Sequence, residues 1–410
     1  MNFEPRANGS PTLRDQTEAV LMNAGTELTG NELYPRFTDA EYTRRYQAIR
    51  EAMERDNLDA ILVSGARGSS EVHYLSNYLA QSPCWILFPR EGDATVFIHF
   101  FNHQPCAKAQ SVVEDVRWYG PAPIPTLADE IRRRDLAKSK IGLVSMRSMA
   151  YGHVTELQRL FPQVEFVEFG PAFSRIRKVR SEEELGYLRR SGYLTDLACE
   201  ALEQRLRPGL TEQDILSIVY QSYIKNGGEP GIHFIATTHM DQPDRFVPWQ
   251  KTTPRVIETG SVVITELTVS YWGYSTQIHR PFAIGREPSL LYRKLFDTAF
   301  ACYENIRKIC KPGTKSEDLV AASSVIEENG FTTYDSVFHG EAGKSPELGT
   351  RSAAHPLEPW TLVENMVHVI QPNPITRDFK AGLQLGAAVI VKPDGGEPLH
   401  NYPFKFPVCG

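Results

Sequence analysis

Near neutral pH a protein moves protons with histidines, or with carboxylates whose surroundings shift them. This chain has 410 residues, of which 11 are histidine and 50 are acidic, and a few stand where such chemistry could use them. Glu266 follows the apolar run Val262-Val263-Ile264, and Gln277-Ile278-His279-Arg280 comes soon after. His339-Gly340-Glu341 lies in a glycine-rich stretch, His355 in Ala353-Ala354-His355-Pro356, and His233 and His239 flank Phe234–Thr238. Trp249, Tyr271, Trp272 and Tyr334 offer faces suited to a flat or cationic ligand. Arg245 and Arg255 could grip a carboxylate. Commoner uses compete with all of these: most buried aromatics are core, and most arginines are solvated.

Missing motifs narrow the chemistry. No GxGxxG follows a strand, and GxxxxGK[ST], GxSxG and HExxH do not occur. Dinucleotide, P-loop, α/β-hydrolase and zincin chemistry therefore lose their usual support. The 6 cysteines lack CxxC spacing, which suits a reducing compartment better than a disulfide framework. A net charge of −6 argues against a sequence-independent grip on nucleic acid. No run approaches the roughly 18 apolar residues of a membrane span, and the start of the chain lacks a signal pattern. The expectation is a cytoplasmic protein with a small-molecule substrate and neither a nucleic-acid nor a membrane partner.

The elements that must position these residues fall into two groups. Residues 1–37, with Pro5, Pro11 and Pro35, read as a polar arm. Thr38-Asp39 precede Glu41–Arg55, where Tyr42, Tyr46, Ile49 and Met53 recur at helical spacing. Strands are expected at Asp59–Val63, Cys84–Phe88, Thr95–Phe100, Ile141–Val144 and Val164–Val167, and helices over Thr126–Arg134 and Val154–Phe161. That alternation predicts a small α/β domain over 38–172. The second unit, 173–410, carries a capping box, Ser181 with Glu184, before a long helical pattern. Pro208-Gly209 stops that pattern, and a helix over Thr211–Asn226 follows. Strands at Ser261–Thr268 and Ile278–Ile284, helices over Ser289–Lys308 and Ser316–Asn329, and strands at Met366–Ile370 and Leu385–Val391 complete it. This order predicts an α+β unit with an antiparallel sheet.

Six segments occur in a telling order: Arg175–Leu188, Gly260–Glu266, Tyr271–Phe282, Phe338-His339-Gly340, Leu362–Pro372 and Pro393–Phe404. Together they resemble the creatinase/prolidase/methionine-aminopeptidase family, peptidase family M24. The resemblance implies an α+β pita-bread domain preceded by a small creatinase-type N-terminal α/β domain. Metal-dependent members of that family hold two ions with two aspartates, a histidine and two glutamates. The corresponding positions here are Glu266, Gln277, His339, Gln371 and Gly386. A neutral amide cannot offset a dication as a carboxylate does, so no metal and no other cofactor is expected.

The resemblance is closest to the family's non-metal branch, in which creatinase and ectoine hydrolase act on small nitrogenous substrates. At creatinase's catalytic-histidine position stands Trp249, and its two substrate-holding glutamates fall at His279 and Gln371. A guanidinium thereby loses its bidentate partners. The resemblance assigns acid/base catalysis to Glu266, His279 and His339, with the Glu266 pKa raised by desolvation. It assigns substrate binding to His233, His239, Trp249, Gln277, Arg280, Glu341, His355 and Gln371. The function implied is a metal-independent, creatinase-like hydrolase or lyase acting at a C–N bond of a small polar metabolite. The alternatives are a non-catalytic binding protein of this fold and a metal-dependent Xaa-Pro peptidase or sulfonium lyase. Relatives of this kind imply a homodimer, with the arm and Phe97–His103 as contact surfaces.

Overall fold

The computed structural model describes residues 33–340 and 360–410. The chain divides into two units at Lys178/Val179, so the boundary expected at 172/173 falls inside the helix that closes the first unit. Most of the arm lies outside the described residues, but its last residue, Phe37, is buried in the first unit beneath the Arg45 guanidinium, 4.3 Å from the ring centre.

In the first unit, helix α1 (Asp39–Arg55) starts on Thr38, whose hydroxyl accepts from the Glu41 N–H. Helices α2 (Ser70–Ser76), α3 (Gln104–Gln110), α4 (Pro123–Arg133), α5 (Tyr151–Leu160) and α6 (Gly170–Lys178) accompany a six-stranded sheet. Its strands are β1 (Ala60–Gly65), β2 (Cys84–Pro89), β3 (Thr95–Ile98), β4 (Asp115–Trp118), β5 (Lys140–Val144) and β6 (Glu165–Glu168), in the order β4-β3-β2-β1-β5-β6. Strand alternation sends Ile61, Val63 and Ile86 into one apolar layer and Leu62, Trp85 and Leu87 into the other. Being covered on both faces, β1 and β2 read as continuous apolar runs. Elements α2, α3 and β4 are too short for a period to register in the sequence. The stretch expected to form a contact surface is split: Phe97 and Ile98 are core, while Phe100 and Phe101 are exposed, Phe101 against Trp118.

The second unit opens on helix α7 (Glu182–Arg205), and its capping box is formed in both directions. The Glu184 N–H donates to the Ser181 hydroxyl at 3.2 Å, and the Ser181 N–H to the Glu184 carboxylate at 3.0 Å. Helix α8 (Glu212–Tyr223) repeats the device with Thr211 and Asp214. Strands β7 (Glu229–His239), β8 (Ser261–Tyr271), β9 (Tyr274–His279) and β10 (Pro281–Ile284) follow. Helices α9 (Leu290–Ile309), α10 (Ser316–Ala322) and α11 (Val325–Glu328) come next. The short strands β11 (Thr332–Thr333), β12 (Phe338–Gly340), β13 (Val367–Ile370), β14 (Pro374–Ile375), β15 (Gly386–Lys392), β16 (Gly395–Pro398) and β17 (Val408–Cys409) complete the unit. A nine-stranded sheet runs β12-β13-β15-β9-β8-β10-β17, with β7 paired to β8 and β16 to β15. Every pairing in it is antiparallel except β10 with β17.

Two expected elements break. The strand expected over Ile278–Ile284 is interrupted at Arg280, whose guanidinium is taken up by backbone carbonyls. The helix expected over Ser316–Asn329 becomes α10 and α11, because the Ser323 hydroxyl returns to the Val320 carbonyl at 2.7 Å and competes with the helical ladder. Among the described residues no helix is long and apolar enough to cross a membrane.

Candidate active site

Sheet register decides which side chains can meet. Tyr271 and Tyr274 face each other across a two-residue turn, Trp272-Gly273, in which both residues have positive φ, 46° and 78°. That turn chemistry matches the twist of a tight hairpin. From it, Thr268 pairs with Gln277 and Leu267 with Ile278. Continuing the ladder puts Glu266 opposite His279. Because side chains alternate, Glu266, Gln277 and His279 share one face, and Leu267 and Ile278 go to the core on the other. Gly386 pairs with His279 and so lies on the site face. Ile370 pairs with Ala387 and points away, which turns the next residue, Gln371, toward the site. His339 pairs with Val369, again on the site face. Helix α7 pins the hairpin: Ser191 Oγ accepts from the Thr276 N–H at 2.8 Å and donates to the Val269 carbonyl at 2.6 Å.

The side chains converge on Glu266. Gln277 Nε2 donates to its carboxyl at 2.7 Å, and His279 Nε2 stands 4.0 Å from the other oxygen. Burial pushes the Glu266 pKa up to about 7; the Asp335 charge adds to the rise, while Gln384 and Gln277 oppose it. His279 is fully buried, and desolvation together with the positive fields of His339, Arg280 and His400 holds its pKa well below the usual imidazole value. His279 is therefore neutral. Gln371 stands close enough to counter part of that fall, yet neither ring nitrogen of His279 completes a hydrogen bond with a described residue. His339 Nδ1 is 2.6 Å from the Gly340 carbonyl, an acceptor only, so in the neutral ring Nδ1 carries the proton and Nε2 the lone pair.

Of the other residues singled out in sequence, Gln277 and Gln371 lie in this centre. Arg280 does not face it. The guanidinium donates to the carbonyls of His279, Gly386, Tyr402 and Pro403 at 2.7–3.0 Å and lies 3.8 Å over the Phe404 ring. His233 pairs with Leu267, on the opposite face from Glu266, and its Nε2 bonds the Tyr223 hydroxyl at 2.7 Å. His239 shares that opposite face, at the end of β7, with Nδ1 accepting from the Asp241 N–H at 3.3 Å. Trp249 is exposed, with the Arg245 guanidinium 3.7 Å over its ring. Arg245 and Arg255 are paired elsewhere, with Glu212 at 2.6 Å and Asp244 at 2.7 Å. Glu341 and His355 lie outside the described residues.

Three participants were not read from the sequence. Gln384 shares the parity of Gly386, two residues on, and that alternation was the available signal. Asp335 sits in a loop whose shape comes from the buried Asn373, which accepts from the Tyr334 and Asp335 N–H groups and donates to the Asp335 and Ser336 carbonyls. His400 bonds Asp196 at 3.1 Å. Nothing in the sequence around Asp335 or His400 announces this placement.

A model of metallopeptidase family M24 matches residues 186–393, and one of the creatinase/prolidase N-terminal domain matches residues 45–179. The chain belongs to family M24. Its fold is accordingly the pita-bread M24 fold with a creatinase-type N-terminal domain. The X-Pro aminopeptidase from Thermotoga maritima MSB8 superposes with a TM-score of 0.77 at 22% identity, covering 88% of this chain and 99% of that one. The Xaa-Pro dipeptidase of Pyrococcus horikoshii is 22% identical over 87% of this chain and 96% of its own length. The ectoine hydrolase of Halomonas elongata is 23% identical over 90% and 97%.

The dinuclear metal centre that an M24 metallopeptidase implies does not fit the residues present. Of its donor positions only Glu266 and His339 keep a charged or imidazole ligand. Gly386 is no simple truncation: a Cβ built there would lie 2.0 Å from the Ile370 carbonyl oxygen and 2.9 Å from Gln371 Cα. The backbone of β13 occupies the room a glutamate side chain would need. Among the described residues no group of three or more His, Cys, Asp or Glu side chains is arranged to hold a metal ion.

Proposed function

We propose that this M24 protein is a metal-independent hydrolase or lyase that cleaves a C–N bond in a small polar metabolite. One observation carries the reading: Glu266, the only carboxylate kept at the family's ligand positions, is largely enclosed, with 13% of its side chain exposed, and its pKa is pushed up to about 7, while β13 fills the place of a lost ligand. A carboxyl poised there is suited to proton transfer, typically worth roughly 10²–10⁴ in rate.

In this reading Glu266 is the general acid. Its proton, retained at neutral pH by burial, goes to the departing nitrogen. His339, whose neutral ring has its lone pair on Nε2, is the base that takes a proton from water in hydrolysis or from carbon in elimination. Neutral His279, 4.0 Å from Glu266, donates a hydrogen bond to a substrate oxygen without placing a full positive charge beside Arg280. The ectoine hydrolase relative offers a precedent for action on a small nitrogenous ring. The Xaa-Pro dipeptidase relatives represent the chemistry from which this donor set departs. The same reading carries a cytoplasmic homodimer.

Two measurements test it together. Protein purified without chelator should contain well under one equivalent of Mn, Fe, Co or Zn, and treatment with EDTA should leave turnover unchanged. Stoichiometric metal with chelator-sensitive activity would overturn the proposal. A set of ring amidines, amino-acid amides, carbamoyl amino acids and betaines should yield a substrate whose cleavage needs no added ion.

A further inference from the structure

Glu266 has an aromatic neighbour that the apolar core does not claim. Phe234 pairs directly with Glu266 across β7 and β8. Facing residues of an antiparallel pair set their side chains on one side of the sheet, with Cβ atoms about 4.5–5.5 Å apart. Ile235, one step along, turns into the main core of the unit. Phe234 instead is half-buried and belongs to none of the apolar clusters among the described residues.

Three further rings stand apart from those clusters and touch one another. Phe246 meets Tyr334 edge to face, with centroids 5.2 Å apart, and meets Phe379 in the same way at 5.9 Å. Tyr334 and Phe379 are 62% and 52% exposed. Each ring comes from a segment tied to β7 or to the centre. The Ile235 N–H donates to the Trp249 carbonyl at 3.1 Å, so the chain carrying Phe246 returns alongside the strand carrying Phe234. Tyr334 precedes Asp335, whose carboxylate lies 3.5 Å from the Gln371 amide nitrogen. A Cβ on Gly382 would lie 2.3 Å from the Phe246 carbonyl oxygen, and Gln384, two residues on, bonds the Glu266 carboxyl.

The backbone at Phe379 is a second, independent observation. Its φ is 59°, in the left-handed region. The loop around it is closed by Thr376, whose N–H donates to the Ala381 carbonyl at 2.8 Å and whose carbonyl accepts from the Phe379 N–H at 2.9 Å. Glycine or asparagine fits such a position at least cost, and a half-exposed ring recovers little of that cost by packing. Strain of this kind persists where a side chain has a ligand to meet.

We propose that Phe246, Tyr334 and Phe379, with Phe234, form a subsite for an aryl group of the substrate, so that the polar C–N head at Glu266 is joined to a flat apolar substituent. Such a group covers ring faces that water now meets, and edge-to-face contact adds to the gain from area alone. The inference rests on the C–N reading only for the placement of the head, so binding and turnover are measured separately.

The test uses the full chain and two neutral amides with the same head, N-benzylacetamide and N-methylacetamide, in titration calorimetry at pH 7. N-benzylacetamide should bind about tenfold more tightly, the factor expected when roughly 60 Å² of apolar surface leaves water. Phe379→Asn should remove most of that advantage and raise the melting temperature, because asparagine suits the left-handed backbone. Tyr334→Ser should narrow the advantage with the melting temperature held within a few degrees. A ratio of affinities unaltered in both variants would overturn the proposal whatever the melting temperature does. Equal binding of the two amides to the parent protein, or neither binding at millimolar concentration, would overturn it too. So would light scattering in which Phe379→Asn splits a dimer while the ratio holds, since the rings would then belong to a contact between copies. Ring-dependent binding of the aryl amide with no C–N substrate cleaved would sink the enzyme reading and leave this one standing. Cleavage of C–N substrates with no preference for an aryl group would do the reverse.

Discussion

At the scale of single residues, the centre is governed by burial. Glu266 and His279 stand across one rung of a hairpin, and the same desolvation moves their pKa values in opposite directions, toward the neutral form of each. The consequence for rate is that the carboxyl titrates near pH 7. Activity should fall as pH rises through about 7, where Glu266 loses its proton, and a pH–kcat profile of Glu266→Gln should lack that limb while kcat drops roughly 10²–10⁴-fold. An unaltered limb in the variant would remove Glu266 from the reaction. Stability follows from linkage. The folded pKa, about 7, lies above the unfolded value near 4.5, so between those pH values the folded state holds the extra proton. Stability therefore declines as pH rises across that window and levels off above it. Glu266→Gln should abolish the decline, and urea unfolding at pH 8 should show a gain of up to about 3 kcal/mol over the parent. This is the opposite sign from a salt-bridged carboxylate, and a loss of stability at pH 8 would refute the burial argument.

At the scale of elements, what the sequence made legible was whatever has a period or a local signature. Thr38, Ser181 and Thr211 announced helix starts, and all three caps form. Ser181→Ala should cost about 1 kcal/mol in chemical denaturation, with α7 retained. Glu266 and Gln277 were singled out by the family resemblance, and the two-residue turn that fixes their register is visible only in the structure. Two things had no local signature. The split at Arg280 depends on carbonyls more than a hundred residues away in sequence, from Gly386, Tyr402 and Pro403. The faces of His233 and His239 depend on β7, a strand whose apolar and polar residues do not alternate cleanly enough to reveal it. The register puts His233 and His239 on the face away from Glu266, and His339, within β12, on the face of Glu266.

At the scale of the whole molecule, the family was readable from six ordered segments, and the first domain from its alternation of strands and helices. The proposed chemistry was readable only in outline, since substitutions announce which ligands are lost and not what the rebuilt centre accepts. Assembly is the third question at this scale. The exposed rings of Phe101 and Trp118, with centroids 5.7 Å apart, and the neighbouring exposed Phe100 form an apolar patch on the first unit. The proposed homodimer makes use of such a patch. Light scattering at micromolar concentration should give twice the chain mass, and Phe101→Glu with Trp118→Glu should give a monomer that keeps its circular dichroism. A parent protein that is monomeric throughout would remove both the dimer and the role given to the patch.

Gly386 also bears on how the chain could change in the future. Positions 277 and 371 already carry side chains close in size to Asp and Glu, so two donors could return one at a time. The last could not. Any side chain at 386 meets the Ile370 carbonyl at 2.0 Å, and Gly386→Ala alone should lower stability by about 2–5 kcal/mol, measurable as a fall in melting temperature. Intermediates on a route back to a five-ligand metalloenzyme would thus lose stability before they gained an ion to hold them together. The path out of metal chemistry is open at the level of single substitutions, and the path back is closed until β13 and β15 move apart.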